Sequence, residues 1–137
     1  MQEYAGDDPG RCFAVHARTK DVVIVPPGWA HCTINADPSR AMLFGAWCVR
    51  DYDFDYEQVR AHRGVAFFPK VKDGSITFVQ NTQYHPAQLE ILKARAYPEF
   101  HLEQGVPIYT QYENNPERFR FVTHPQEAEE QWKEYRP

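Results

Sequence analysis

The sequence predicts a mainly β domain followed by an extension that contains helices, and three observations carry that expectation. Up to about residue 81, β-branched and aromatic residues fall in short runs separated by clusters of Gly, Pro, Asp and Asn, the pattern of strands broken by turns. Beyond residue 85, in 86–96 and 125–136, the apolar residues recur at helical rather than alternating spacing. Aromatic side chains make up 15% of the 137 residues, so large rings should dominate the packing.

Taken in order, residues 1–5 and 11–17 read as strands joined by the turn cluster Gly6-Asp7-Asp8-Pro9-Gly10, with a second turn at Thr19-Lys20-Asp21. Residues 22–25, Val-Val-Ile-Val, are β-branched and apolar on both faces, which suits a strand covered on both sides. Pro26 and Pro27 remove two backbone donors and Gly28 permits a tight reversal. From Ala30 alternation resumes, placing His31, Thr33 and Asn35 on one face and Cys32 and Ile34 on the other. After a polar loop at 36–40, residues 41–49 form the most apolar run of the chain and read as a doubly buried strand. Gly45 within it marks a bulge or a close backbone approach.

Residues 50–56 alternate aromatic and charged side chains, and a short helix is expected within 55–63. Residues 64–71 and 75–81 read as two strands joined by Lys72-Asp73-Gly74, a hairpin signal. Residues 86–96 suit a helix with Pro86 in its first turn and Pro98 as its stop, 102–112 an extended arm, and 125–136 a second helix with Ala128, Trp132 and Tyr135 on one face. The expected division is therefore a β-rich portion at 1–84 and an extension at 85–137, which is too apolar for disorder and should pack on that portion or on a neighbouring subunit.

A net charge of −4 and a pI near 5.8 argue against nucleic acid or an anionic membrane surface as partners. No apolar run approaches the length of a membrane span and no signal-peptide pattern opens the sequence. Cys12, Cys32 and Cys48 are odd in number and lack Cys-x-x-Cys spacing, so they read as buried thiols of a reducing compartment, and a cytoplasmic location is expected.

The segment richest in functional information is 22–35, with the spacing Pro26-x-Gly28-x-x-His31-x-x-x-Asn35. A polar face bearing an imidazole, in an otherwise apolar β protein, suggests a wet interior, with His31 a candidate ligand residue. A structural histidine satisfied by backbone or water is the competing reading. This spacing resembles the second motif of the cupin barrels, and the fuller string Val-Pro-Pro-Gly-Trp-Ala-His-Cys-Thr-Ile-Asn is most similar to the metal-dependent glucose-6-phosphate isomerases of the cupin type. The resemblance runs from about Tyr4 to Tyr84. It continues through Trp47-Cys-Val-Arg-Asp-Tyr and Phe54-Asp-Tyr-Glu57, and again at Gly105-Val-Pro-Ile-Tyr-Thr-Gln and Asn115-Pro-Glu-Arg-Phe.

The resemblance implies a cupin (double-stranded β-helix, jelly-roll) barrel and the reversible isomerisation of glucose 6-phosphate to fructose 6-phosphate, a step of glycolysis and gluconeogenesis. It implies a divalent cation (Fe, Mn, Ni or Zn), a sugar-phosphate substrate and a homodimer. His31 corresponds to the metal ligand of the second motif, and Tyr56 to an aromatic at the sugar pocket, with a core tyrosine the equal alternative. The His-x-His unit and glutamate of the first motif have no counterpart: no two of the six histidines are two positions apart. The expectation is therefore a barrel incomplete at its N-terminus, a C-terminal part that lacks three of four ligands and in which the metal can be absent and activity alone is in question. The alternative is a non-catalytic cupin domain binding a small sugar or a protein partner. Asp51, Asp53 and Asp55 alternate, but no Asp-x-Asp-x-Asp-Gly sequence continues from them, so a solvated loop is the better reading than a cation site. His16 is a candidate substitute ligand across the first hairpin.

Overall fold

The computed structural model describes every residue except Tyr52, so that part of the 50–56 alternation lies outside the described residues. Among the described residues four strands, β1 (Cys12–His16), β2 (Phe67–Lys72), β3 (Ser75–Gln80) and β4 (Leu89–Lys93), pair only two by two, β1 with β4 and β2 with β3. Four short helices, α1 (Glu57–Ala61), α2 (Ile108–Asn114), α3 (Arg120–Thr123) and α4 (Glu129–Lys133), accompany them, with 3-10 turns at Pro98–Phe100, Pro116–Phe119 and Pro125–Ala128. With 24% helix and 18% strand the fold is mixed α and β, with small sheets and no closed barrel among the described residues, where a mainly β cupin barrel incomplete at its N-terminus was expected. Among the described residues no helix is long and apolar enough to cross a membrane.

The chain divides into two compact units. The first comprises Met1–Ala14, Gly28–Phe44 and Phe54–Ile91. Its N-terminus folds back across the 6–10 turn as expected, but residues 1–5 make isolated bridges at Gln2 instead of the expected strand: Glu3 N–H donates to Arg11 O at 3.0 Å, Tyr4 N–H to Pro9 O at 3.1 Å and Phe13 N–H to Met1 O at 2.9 Å. Gly10 closes this turn with φ +63°, and a Cβ there would lie 2.8 Å from Tyr4 Cδ2 and 2.9 Å from Glu3 Oε2, so both conformation and space demand glycine. Gln2 is the pivot. Its backbone exchanges hydrogen bonds with Ala30 (2.8 and 3.0 Å), while its buried side chain accepts from Ala66 N–H at 2.6 Å and donates to Tyr4 O at 2.5 Å. Around it Cys12, Ala66 and Tyr84 form a small core that Phe67, Ala87 and Leu89 cover.

The β2–β3 hairpin has the register Phe67↔Gln80 to Lys72↔Ser75. Asp73 (φ 51°) and Gly74 (φ 75°) both lie in the left-handed region, as a two-residue turn between right-twisted strands requires. Pro69 is tolerated because β2 has one free edge. Residues 86–96, expected as a helix, hold strand β4 instead. The Gln80 side chain accepts from Ala87 N–H at 3.3 Å and donates to His85 O at 2.9 Å, taking backbone groups of the would-be first helical turn, and β1 offers a ladder.

His62, in the turn after α1, faces acceptors on both sides: the Gln58 carbonyl lies 2.8 Å from Nδ1 and the Asp7 carboxylate 2.9 Å from Nε2. Only an imidazolium donates to both. Its pKa is accordingly raised, first by the Gln58 carbonyl and then by Asp7, and the ring stacks on Tyr84 with centroids 4.3 Å apart.

The second unit comprises Val15–Pro27, Gly45–Asp53 and Leu92–Pro137. Its core is aromatic: Ile24, Tyr97, Phe100, Ala128 and Tyr135, covered by Val22, Leu102, Phe121 and Trp132. Phe100 packs 4.7 Å from both Phe121 and Trp132. Residues 22–25 are not a strand. The reason is visible at Ile24, where Tyr135 Oη donates to the carbonyl at 2.6 Å and Tyr97 Oη accepts from the N–H at 3.4 Å, two side chains replacing a ladder. Arg95 lies over Tyr97 at 4.4 Å and pairs with Glu99 at 2.6 Å.

Residues 102–112, expected as an extended arm, contain the start of α2. There the buried Gln111 side chain accepts from Glu103 N–H at 2.8 Å and donates to Glu103 O at 2.9 Å and Val106 O at 2.8 Å, folding the preceding loop back onto the helix. The helix expected over 125–136 is a 3-10 turn leading into α4, with Trp132 Nε1 donating to Pro125 O at 2.8 Å. Residues 41–49 form no strand, and Leu43 is 98% exposed. A doubly buried strand needs a layer on each face, and two-stranded ribbons supply neither.

Three outcomes are expected. Gly10→Ala should lower the unfolding free energy by about 1 kcal/mol or more in urea titration, because its native φ excludes alanine. Tyr135→Phe should cost about 1–3 kcal/mol by the same measurement, leaving the Ile24 carbonyl unpaired in the core. His62 is stabilising in its charged form, so its contribution is complete below about pH 6.5 and fades as pH rises through its raised folded pKa. An NMR titration should place its midpoint above that of a free imidazole, with Asp7→Asn lowering the midpoint and flattening the loss of Tm with pH.

Candidate functional site

The bend at 26–31 is built as the residue types require. Pro26 is buried. Gly28 takes φ +79°, and a Cβ added there would meet nothing within 4 Å, so glycine is needed for its conformation and not for space. Trp29 stacks on Phe13 with centroids 5.9 Å apart and planes 8° from parallel, and the Arg11 guanidinium lies 5.3 Å above it. Arg11 in turn pairs with Glu3 at 3.0 Å. Ala30 is held by its two hydrogen bonds to Gln2. Trp29 and Ala30 therefore present the next residue, His31, from a well-anchored backbone.

The polar face expected at 31–35 does not line an interior. His31, Cys32, Thr33 and Asn35 are all exposed, and no strand forms beyond the single bridge at Ala30. The Asn35 side chain shapes the following loop, donating to Arg40 O at 2.7 Å and accepting from Asp37 N–H at 3.1 Å. The His31 ring is open to solvent by area, yet the protein beside it, and secondarily the Met1 ammonium, disfavour the imidazolium and lower its pKa. It carries an unprotonated nitrogen at neutral pH, the form a metal requires. Among the described residues, however, no three His, Cys, Asp or Glu side chains are grouped so as to hold a metal ion. His16 belongs to the second unit and His31 to the first.

Tyr56 stands at the N-terminal end of α1 and is 54% exposed. The Arg60 guanidinium lies 5.4 Å from its ring and Phe54 packs at 6.2 Å. Asp55, one of the three alternating aspartates, accepts from Glu57 N–H at 2.8 Å and so serves the start of the helix. Sequence reasoning missed Arg60, whose place one helical turn after Tyr56 is a readable signal, and His62, whose partner Asp7 is 55 positions away.

The family model described as glucose-6-phosphate isomerase (GPI) matches residues 10–87, more than half of the chain. That span contains β1, the 26–31 bend, α1 with Tyr56, and the β2–β3 hairpin. No curated protein and no solved structure gives a significant match. On the match over residues 10–87, the chain belongs to the glucose-6-phosphate isomerase family.

Proposed function

We propose that the chain serves a metal-dependent aldose–ketose isomerisation of the cupin isomerase kind, glucose 6-phosphate to fructose 6-phosphate, in the cytoplasm and as a homodimer. The observation that carries this reading is the family match across a bend that presents one unprotonated, solvent-open imidazole. Isomerisation moves a proton between carbons one and two of the sugar through an enediolate, which calls for a base and for an electrophile at the two oxygens. His62 is unsuited to either task, since both of its nitrogens are committed as donors. The His31 ring keeps a backbone hydrogen bond with Trp29, which leaves its other nitrogen to act as a single donor toward iron, manganese, nickel or zinc. A stable site needs three or four protein ligands, and the described residues do not group them, so they do not fit a metal cage. Exposed Tyr56 with Arg60 across its ring supports the reading of this pair as a sugar-phosphate contact, the ring against the sugar and the guanidinium toward the phosphate.

The second reading, a non-catalytic domain that binds a small sugar or a protein partner, is favoured by that same want of grouped ligands. Equilibrium dialysis of the chain against Fe²⁺, Mn²⁺, Ni²⁺ and Zn²⁺, with fructose 6-phosphate formation followed in parallel, separates the two. Turnover no higher than background is expected; retention of one ion per chain, weakened about tenfold or more in His31→Ala, would favour the isomerase reading, and no retention the second. Equal retention by His31→Ala would remove His31 as a ligand, and turnover that survives chelation would overturn metal dependence.

A further inference from the structure

The second unit holds a half-open pocket of about 350 Å³ whose floor is Trp47 with Tyr112 and Phe119. The Trp47 ring packs 4.6 Å from Tyr112 and 5.7 Å from Phe119, tilted 50° to each. It nevertheless remains 37% exposed, so the indole is anchored by its neighbours and still reachable. Glu117, Arg120, Thr123 and His124 supply polar groups around this floor. Cys48 also lines it.

The charge of the lining decides the class of ligand. Arg120 is spent on carboxylates: its Nε lies 2.8 Å from Glu127 Oε2, a second nitrogen bonds the other Glu127 oxygen, and Nη1 is 3.6 Å from Glu117. The one guanidinium at the pocket is thus answered by two carboxylates, and a phosphate would meet no uncommitted arginine. A cation would have to compete with Arg120 for Glu117, the carboxylate of the lining. A wholly apolar ligand would strip water from Glu117, Thr123 and His124 without replacing its hydrogen bonds. His124 Nδ1 is tied to the Thr123 hydroxyl at 2.8 Å, which leaves Nε2 as the remaining polar atom of that ring.

We propose that this pocket binds an uncharged pyranose, a single hydroxylated ring without phosphate. Such a ring presents C–H bonds on one face, which suit the negative face of an indole, and hydroxyls at its edge, which suit a carboxylate, a threonine hydroxyl and an imidazole nitrogen. The volume lies at the lower end of small-molecule sites and accommodates one ring rather than a chain of them. The site is a different one from the 26–31 bend, and all but three of its lining residues, Trp47, Cys48 and Val49, lie beyond the family match. The inference does not rest on the isomerase reading, and a failure of either leaves the other standing.

The test is ¹⁹F NMR of the full chain labelled with 5-fluorotryptophan, in which Trp29, Trp47 and Trp132 report separately, titrated with methyl β-D-glucopyranoside and with glucose 6-phosphate. The Trp47 signal should shift saturably with the glucoside while Trp29 and Trp132 stay still, and glucose 6-phosphate should bind at least about threefold more weakly. Glu117→Gln, at a side chain largely in solvent, should weaken the glucoside about threefold or more with the three signals otherwise unchanged. Trp47→Leu should abolish saturation transfer to the glucoside; should that variant lose the Trp132 signal through misfolding, Glu117→Gln decides. No saturable shift at Trp47, binding of glucose 6-phosphate as tight as that of the glucoside, or unchanged affinity in Glu117→Gln would each overturn the proposal.

Discussion

Every backbone N–H and C=O removed from water must find a partner, and a chain with two-stranded ribbons and helices of four to seven residues has few ladders to offer. Side chains make up the difference at each buried turn. Gln2 serves Ala66 and Tyr4, Asn81 donates to His62 O at 2.8 Å and Val65 O at 3.2 Å, and Gln111 serves Glu103 and Val106. Tyr97 and Tyr135 do the same for Ile24. Among the described residues no buried side-chain nitrogen or oxygen lacks a partner. Polar side chains in a core are costly when half satisfied. Here they are satisfied, and they join segments far apart in sequence, 64 positions for Gln2 with Ala66 and 111 for Tyr135 with Ile24.

That arrangement explains which parts of the fold were legible from residue types. Local signals succeeded where the structure is local. The Asp73-Gly74 turn and its flanking strands, the turn at 6–10, the short helix near 57–61 and the helical character of 125–136 all depend on neighbours within a few positions. Apolar runs misled wherever a distant side chain supplied the hydrogen bonds. Residues 22–25 have strand composition but face two tyrosines rather than another strand, and 86–96 have helical spacing but lie against β1 with Gln80 occupying the entry. A glutamine that folds a loop onto a helix, as Gln111 does, has no signature in composition or period.

The family was legible for a different reason. The bend at 26–31 is specified by residue chemistry, two prolines and a positive-φ glycine ahead of an anchored Trp–Ala pair, and this is the stretch where resemblance was strongest and where the family match also runs. The surroundings of His31 were not legible, because alternation assigns a face without saying what that face meets. In the structure it meets water. The aromatic core of the second unit stands mostly outside the family match, and its rings at 97, 100, 119, 121, 132 and 135 give that half its own packing logic.

Reliance on carboxamides also sets how the folded chain ages. Hydrolysis of the Asn81 or Gln111 amide would turn an NH₂ that donates to two carbonyls into an oxygen that repels both, inside a site closed to solvent. Deamidation, harmless on most surfaces, would here undo a tertiary junction. The protein's durability on prolonged warming is therefore bounded by the chemical lifetime of a few amide groups as well as by its reversible unfolding equilibrium.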